Sequence, residues 1–494
     1  MGELLLFALF LPIATGLTSM FQGTRTALKI VNLTGSLLIS SSLAAIIYKI
    51  IVSGAFSYKM LYVDHLSAVL LSILAILTLT SMLFSLSYME KELANGHITF
   101  NMLRRYYGLL NVLVFTLISV LVVGNLGLMW VAVEATTLAS AFLVAFYFNH
   151  SALEAAWKYI MVCTVGICLA LLGTTLLYYA QVSVVGSDFQ ALNWLELTKM
   201  SAELDPTIVK LAFVFILIGY GTKTGLAPMH TWLPDAHSQA PSPISALLSG
   251  VVLSCAAYAI LRNLIIVQAV INHEFLHYLL IGFGVLSIAI ALPFILVQHD
   301  LKRLLAYSSV EHMGIVMLGI GIGTTWSIYG ALLHMLNHAI TKSALFYMAG
   351  VITQEYQTKN IARIRGLVST MPVVGTLFII GILAITGTPP FSIFISKFII
   401  IGAAFSSGRV LLGLGVLLLM AGIFAGMMYY CLTMAFGTKP KYRAATVSIG
   451  TPALLAIFIS VGLMIVTGVY IPNWLSDMLT MATGIVIGGS FHGI

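Results

Sequence analysis

Four lysines lie inside apolar stretches of the chain, where a charge is costly: Lys158, Lys223, Lys342 and Lys397. A charged side chain at the centre of a membrane span costs about 2.5 to 3.5 kcal/mol on insertion scales, so four lysines could cost on the order of 10 kcal/mol. Such a cost requires ion pairs, water-filled cavities or a function that uses the charge. We interpret these lysines as parts of a proton-conducting path.

Glu134, in the segment LMWVAVEATTLASAFL, is the clearest carboxylate at membrane depth. Burial disfavours the charged form of a lysine, and a nearby carboxylate favours it. A carboxylate that moves relative to a lysine can therefore make the lysine release a proton. We expect Lys223 to be the partner of Glu134, although a purely structural ion pair would use the same residues.

A row of titratable side chains occupies the segment IYGALLHMLNHAITKSALFY. His334, His338 and Lys342 stand at i, i+4 and i+8, which puts them on one face of a helix. For one histidine alone, a satisfied buried imidazole is the commoner explanation. Two histidines and a lysine also supply fewer than the three protein ligands usual for catalytic zinc. The row therefore predicts a proton relay rather than a metal site.

Three further candidates have weaker signals. Glu311 and His312, in HDLKRLLAYSSVEHMGIVML, lie about three turns into their segment, at membrane depth. Being adjacent, they point to different faces, so one can line a path while the other packs against or caps a neighbour. Lys158 follows Glu154 by four residues and lies nearer an interface, where snorkelling of the side chain to water is the commoner explanation.

The elements that position these residues follow from composition. Hydrophobic residues make up 60% of the chain and charged residues only 8%, against about 25% charged in soluble domains. This excludes a water-soluble fold, and the lengths of the apolar runs indicate helices. We predict an all-α integral membrane protein with 14 spans, near residues 4–20, 28–51, 66–88, 107–126, 128–148, 155–180, 208–228, 242–262, 275–297, 301–323, 326–352, 371–405, 409–436 and 449–470.

Two of these spans are interrupted in the same way. Span 7 reads LIGYGTKTGLAPMHTWLPDAHSQAP and span 12 reads IGILAITGTPPFSIFISKFII. Each breaks at Gly, Thr and Pro, and each carries one lysine, Lys223 or Lys397. Paired broken helices are typical of transporters built from inverted repeats, with the ion path at the breaks. The alternative is that Pro and Gly merely kink a packed helix.

Several other functions are excluded by what the sequence lacks. The cysteines Cys163, Cys168, Cys255 and Cys431 lie in apolar runs without metal-ligand spacing. The string GTKTG lacks the first glycine and the adjacent Gly-Lys of a phosphate loop. We therefore expect no cofactor in this chain, and energy that comes from an ion gradient or from partner subunits.

The basic residues indicate topology rather than nucleic-acid binding. The net charge is +7, but most lysines and arginines stand at the ends of spans. One side of the membrane holds most of them, including Lys302 and Arg303, whereas the other side holds fewer, among them Arg262. Because the basic side is cytoplasmic, we expect both termini on the outer side.

Four motifs resemble a known family. HTWLPDAHSQAP at 230–241, HDLKRLLAYSSVEHMG at 299–314, HMLNHAITKSALF at 334–346 and GTPPFSIFISKF at 387–398 resemble the antiporter-like subunits of respiratory complex I, Mrp antiporters and membrane-bound hydrogenases. The first motif adds His230 and His237 to the candidate path residues. VEATTLASAFLVAFYF with LEAAWKYIMVCTVGICLALLGTTLLYYA is most similar to the F-type subunit of group 4 nickel–iron hydrogenases such as formate hydrogenlyase.

The resemblance implies a single membrane domain with internal symmetry. Spans 1 to 3 would occupy residues 1–106, two inverted five-helix repeats would occupy 107–262 and 263–436, and span 14 with a tail would occupy 437–494. It also implies a Glu134 and Lys223 pair, a relay through His338 or Lys342, and Lys397 as the terminal proton site. Ser254 stands where many relatives carry a lysine or histidine, so a hydroxyl and water would have to bridge the path there.

The implied function is proton translocation by a membrane subunit of a redox-driven complex of the hydrogenase or formate hydrogenlyase type, in the cell membrane. Nickel–iron and iron–sulfur centres would lie in partner subunits, which include homologous antiporter-like subunits and a peripheral redox arm. The alternatives are a subunit of a Mrp-type sodium/proton antiporter, a complex I-like NADH/quinone oxidoreductase subunit, and a non-conducting scaffold. No nucleic acid partner is expected.

Overall fold

The computed structural model describes residues 1–186, 191–437 and 449–488, so part of the connection before span 14 and the end of the predicted tail lie outside the described residues. The helices are α1 (Gly2–Met20), α2 (Arg25–Ser53), α3 (His65–Ala94), α4 (Phe100–Val122), α5 (Leu126–Val144), α6 (His150–Val185), α7 (Trp194–Lys199), α8 (Pro206–Thr224), α9 (Trp232–Gln239), α10 (Ser242–Leu247), α11 (Leu253–Val267), α12 (His273–Leu296), α13 (Leu301–Ile322), α14 (Thr325–Tyr356), α15 (Leu367–Thr370), α16 (Pro372–Thr386), α17 (Ser392–Ser406), α18 (Val410–Phe436), α19 (Thr451–Val469) and α20 (Asn473–Ile487).

The predicted all-helical membrane fold is confirmed. Among the described residues, 12 helical stretches are long and apolar enough to span a bilayer. Span 11 is α14, whose 32 residues carry the polar row. Span 12 is divided between α16 and α17, which are shorter apolar helices. Span 8 is α10 and α11, joined by a π-helical turn at Leu248–Val252.

Residues 473–487, in the stretch predicted as a tail after span 14, form the helix α20. Leu475, Met478, Leu479, Ala482 and Val486 recur at helical spacing and are buried. They pack against α3 and α14. The segment is too short and too polar to be read as a span, but this buried face holds it as a helix.

Both predicted helix breaks are present. The first half of span 7, α8, ends at Gly225, and the first half of span 12, α16, ends at Gly387; these glycines have φ of +81° and +91°. Glycine adopts this left-handed conformation without a steric penalty, so it ends the helix cleanly. Gly387 also leaves room for Lys397, because a Cβ there would lie 3.0 Å from Cδ of Lys397.

The centre of the molecule is formed by α10, α11, α13 and α14. The α10–α11 stretch and α13 are buried along their apolar windows, whereas only about a third of the corresponding window of α12 is buried. The outer helices therefore turn apolar faces to lipid. Because α13 and α14 lie inside the bundle, their polar side chains are shielded from both lipid and bulk water.

A buried ion pair fixes a short β-hairpin to the bundle. Strands β1 (Phe56–Tyr58) and β2 (Leu61–Val63) pair antiparallel, and Asp64 follows them and caps α3. Arg262 Nη1 and Nη2 donate to the two carboxylate oxygens of Asp64 at 2.7 and 2.5 Å, and both side chains are fully buried. The expectation that Arg262 is a flanking loop residue is therefore wrong; its partner Asp64 satisfies the charge inside the protein.

We expect Arg262→Ala to lower the free energy of unfolding in detergent by about 3 to 5 kcal/mol, because it leaves the carboxylate of Asp64 buried and unpaired. The measurement is denaturant unfolding followed by tryptophan fluorescence. Lys199→Ala is the matched control, since its pair with Glu196 is exposed and such pairs contribute about 0 to 1 kcal/mol. Equal effects of the two substitutions would contradict this assignment.

Candidate functional site

Lys223 is the buried cation of the first half of the chain. It lies in the last turn of α8 and is fully buried. Its Nζ donates to Thr137 Oγ1 at 2.9 Å and to the Tyr159 hydroxyl at 2.5 Å. The ammonium also lies 4.7 Å from the centroid of the Tyr159 ring, within the range of a cation–π contact. Hydroxyl groups and an aromatic face therefore solvate this lysine.

Glu134 lies near this lysine but not against it. Its Oε1 accepts a hydrogen bond from Thr164 Oγ1 at 3.2 Å, and its Oε2 is buried without a partner. Both Glu134 and Lys223 are described, and they form no ion pair within 4.0 Å. Thr137, which holds Lys223, is one helical turn from Glu134 on α5. The expected pair is therefore separated in this conformation.

The second half of the chain contains a direct buried ion pair between two of the candidate path residues. Lys397 Nζ lies 2.9 Å from Glu311 Oε1 and donates to the carbonyl oxygen of Thr386 at 3.3 Å. The side chains of Lys397 and Glu311 are 5% and 2% exposed. Thr386 is the last residue of α16, so the ammonium also meets the negative end of that half-helix. Sequence reasoning named both residues but missed their contact.

The contacts of Lys223 and Lys397 have the same separation along the chain. Lys223 contacts Thr137, which is 86 residues earlier, and Lys397 contacts Glu311, which is also 86 residues earlier. Both lysines lie in broken spans, and both partners lie two spans earlier in the chain. The same separation in the two halves is what a duplicated unit would produce.

Two histidines form a bonded pair beside Glu311. His312 Nδ1 and His334 Nε2 are 2.8 Å apart, and His334 Nδ1 is 2.8 Å from Ser396 Oγ. Nε2 of His312 lies 4.0 Å from Glu311 Oε2. The adjacent residues Glu311 and His312 thus both belong to one cluster, although the sequence suggested separate roles for them.

The rest of the polar row continues along α14. His338 is buried, its ring centroid lies 5.1 Å from that of His312, and neither of its ring nitrogens has a hydrogen-bond partner. Lys342 is fully buried and donates to the Leu305 carbonyl oxygen and to Ser308 Oγ on α13. The predicted row of His334, His338 and Lys342 therefore faces α13 from one side of α14.

The two histidines of the first family motif lie in different places. His237 is fully buried and stacks on Phe346 with ring centroids 5.0 Å apart. Both of its ring nitrogens are buried without a partner. His230 is buried beside Phe294 and Tyr307, at 6.1 Å from each ring. His237 therefore shares with His338 the unpartnered nitrogens that water in a path would satisfy.

Ser254 does not join the two halves directly. Its hydroxyl donates to the carbonyl oxygen of Gly250 at 2.8 Å, within its own span. Lys223 and Lys342 have their hydrogen bonds elsewhere. A proton that passed between these lysines would need water at this point.

Lys158 is the candidate that lies apart from the others. Its side chain is 51% exposed, and it pairs with Glu154 at 2.7 Å and with Asp235 at 3.4 Å. Arg303 also reaches Asp235, at 3.3 Å. These four residues form an exposed charge network, as snorkelling predicts.

Two lysines that sequence reasoning left out of the site cap the end of α9. Lys302 is 3% exposed and donates to the Ala240 carbonyl oxygen at 2.5 Å. Lys359 donates to the Ser238 carbonyl oxygen at 2.6 Å. Burial lowers the pKa of Lys359, and the carboxylate of Asp300 opposes that shift. Both lysines stand beside apolar segments, as residues that flank a span usually do, so their burial could not be predicted from the sequence.

The described parts of the chain contain no cluster of side chains that could bind a metal ion. There, no group of three or more histidine, cysteine, aspartate or glutamate side chains gathers closely enough to hold a metal ion. The side chains brought together are lysines, histidines and single carboxylates. Such groups exchange protons, and their arrangement at membrane depth is typical of proton relays.

Residues 123–425 match the family model described as NADH:quinone oxidoreductase/Mrp antiporter, transmembrane. The chain belongs to this antiporter family. The matched region contains Glu134, Lys223, Lys342 and Lys397, together with both broken spans. The membership expected from the four sequence motifs is therefore confirmed.

Members of the antiporter family with known sequences are similar over most of the chain. The chain is 42% identical over 349 residues to a hydrogenase-4 component F homolog of Methylacidiphilum infernorum. This alignment covers 71% of this chain and 73% of that protein. It is 31% identical over 350 residues to NADH-quinone oxidoreductase subunit N of Desulforudis audaxviator, covering 70% and 67%.

A solved structure of a respiratory membrane complex contains a chain with the same fold. The chain aligns with a subunit of the membrane-bound sulfane sulfur reductase, an archaeal respiratory membrane complex, with a TM-score of 0.87. The sequence identity is 25%, and the alignment covers 98% of this chain and 97% of the other. The chain is thus an antiporter-like membrane subunit.

We expect Tyr159→Phe to lower the free energy of unfolding by about 1.5 to 3 kcal/mol, because it removes one hydrogen bond to a buried charge. The same substitution should cost less in a Lys223→Met background, where the ammonium is gone. Denaturant unfolding in detergent measures both values, with Tyr179→Phe as a control at an exposed tyrosine. Equal costs in both backgrounds would show that Tyr159 does not support Lys223.

Proposed function

We propose that this chain translocates protons as a membrane subunit of a redox-driven complex of the hydrogenase or formate hydrogenlyase type. The observation that carries the proposal is that Lys223 and Lys397 are buried beside the breaks of two interrupted spans. Interrupted helices place polar backbone and ions near the middle of a membrane. The similarity to a hydrogenase-4 component F homolog favours the hydrogenase type.

The proposed cycle begins at Glu134 and Lys223. Their present separation leaves Lys223 solvated by hydroxyls. Movement of the carboxylate towards the lysine would stabilise the ammonium, and movement away would favour proton release. Water beside Ser254 would carry the proton to Lys342, from which the histidine row leads to Lys397. We include His230 and His237 as residues that border this path.

In the proposed cycle the proton passes towards Lys397 and leaves on the outer side, where we also propose that both termini lie. At about 100 mV each outward charge costs about 2.3 kcal/mol, which redox chemistry in partner subunits must supply. Those partners would hold the nickel–iron and iron–sulfur centres and would include a peripheral redox arm and homologous membrane subunits. Residues 107–262 and 263–436 would be the inverted repeats of this path.

Other assignments within the family have specific support. The family also contains Mrp antiporters, so sodium/proton exchange without redox chemistry is the second candidate. Similarity to an NADH-quinone oxidoreductase subunit supports a complex I-like assembly. The internal hydrogen bond of Ser254 supports a non-conducting scaffold.

The decisive prediction concerns pumping by the intact complex in vesicles. At matched assembly, Lys223→Ala and Lys397→Ala should each reduce proton pumping, while redox turnover persists or slows, because each removes a buried proton carrier. The measurement is vesicle acidification beside redox turnover. Lys199→Ala, at an exposed lysine, is the control and should pump normally. Normal pumping by both test variants would favour the scaffold.

Purification separates the redox-driven complex from the antiporter. We expect nickel and iron to co-purify with the affinity-tagged chain, and we expect vesicles that lack a redox substrate to show no sodium-driven proton exchange. The measurements are elemental analysis and a fluorescent assay of vesicle pH after a sodium pulse. Sodium exchange without bound nickel or iron would support the Mrp type instead.

A further inference from the structure

We propose that Glu311 is a proton-relaying residue, which passes protons from the histidine pair His312 and His334 to Lys397. The inference rests on the proposed function and adds a specific carrier to it. Glu311 contacts the terminal lysine on one side and approaches a histidine on the other. Its role is therefore more than that of a partner that neutralises a charge.

The two carboxylate oxygens of Glu311 face different partners. Oε1 lies 2.9 Å from Lys397 Nζ. Oε2 lies 4.0 Å from Nε2 of His312, and that nitrogen has no hydrogen-bond partner. A small rotation or one water molecule would bring this second contact within the reach of proton transfer. The carboxylate thus occupies the gap between the histidines and the lysine.

The groups around Glu311 come from three helices. His312 lies beside it on α13, and α14 supplies His334, His338 and Lys342. Lys397 comes from α17. Among these titratable groups Glu311 is the single carboxylate, so it is the group that can bind a proton and become neutral next to the lysine. Every other member is a base that becomes positive.

The relay can be written with every proton accounted for. Lys397 first releases one proton towards the exit and becomes a neutral amine. An incoming proton on His334 passes from Nε2 to Nδ1 of His312, and His312 passes its own Nε2 proton to Oε2 of Glu311. The carboxyl group rotates and transfers that proton to Nζ of Lys397. The ion pair is restored, one proton has entered for each that left, and a turn of the His312 ring brings its proton back to face Glu311 before the next transfer.

The position of Glu311 in the chain supports a role in the path. It stands 86 residues before Lys397, as Thr137 stands 86 residues before Lys223. In the first half the carboxylate, Glu134, lies one turn from that position and does not contact the lysine. In the second half the carboxylate occupies the contacting position itself. The second lysine therefore has a direct acid partner where the first has a hydroxyl.

The test uses the intact complex in vesicles, with pumping, redox turnover and assembly measured together. Glu311→Gln should lower proton pumping at least about tenfold at matched assembly, because the amide cannot carry the proton. Glu196→Gln, at an exposed glutamate, is the matched control and should pump as wild type does. Redox-triggered infrared difference spectra should also show a carboxylic acid band that Glu311→Gln removes.

A charge swap distinguishes a proton relay from a purely structural ion pair. It also tests the relay if the complex with Glu311→Gln does not assemble. The double variant Glu311→Lys with Lys397→Glu keeps an ion pair, so assembly should recover. Its carboxylate no longer adjoins His312, so pumping should stay low. Recovery of pumping together with assembly would overturn the relay and leave a structural pair.

The remaining outcomes distinguish this inference from the proposed function. Loss of pumping in Lys397→Ala with normal pumping in an assembled Glu311→Gln would overturn the relay and leave the proposed function standing. Normal pumping in Lys223→Ala and Lys397→Ala would overturn the proposed function, and the relay with it.

Discussion

The bilayer interior has no water to solvate a charged side chain, and the arrangement of this protein follows from that constraint. Each deeply buried lysine must find oxygen atoms within the protein. Lys223 finds hydroxyls, Lys342 a carbonyl and a hydroxyl, and Lys397 a carboxylate and a carbonyl. The carbonyl group of Thr386, to which Lys397 donates, can accept this bond because α16 ends at that residue. The broken span is therefore part of what solvates the charge.

The three lysines differ in the groups that stabilise their charge. A carboxylate favours an ammonium more than neutral hydroxyl or carbonyl oxygens do. Movement of a carboxylate partner would therefore change the environment of a lysine more than movement of a hydroxyl would. Glu134, with one buried oxygen unpartnered and the other bonded to Thr164, is not held by a lysine.

Local signals predicted a large part of this structure. Hydropathy marked the spans, because each apolar run is long enough to show on its own, and glycine and proline marked both breaks. The row from His334 to Lys342 followed from helical spacing. Contacts between distant segments could not be predicted. Lys397 and Glu311 are 86 residues apart, and nothing in either segment alone identifies the other.

Burial of single basic residues was the second failure of prediction. Arg262 and Lys302 stand near the ends of apolar runs, where a lysine or arginine usually reaches water. Whether such a residue snorkels or turns inward depends on a partner elsewhere, Asp64 for Arg262 and the end of α9 for Lys302. The helix α20 was not predicted for a related reason. Its burial depends on helices that precede it in the chain by more than a hundred residues.

The π-helical turn at Leu248–Val252 has a consequence for how this chain can vary. A π turn holds one residue more than an α turn, which rotates everything after it by about 100° about the helix axis. Arg262 lies after this turn in the same span, so the rotation helps to set the direction in which its guanidinium reaches Asp64. Deletion of one residue there would make a more regular helix and point the guanidinium at the wrong neighbour. The length of this turn is therefore as tightly constrained as its side chains, all of which are buried.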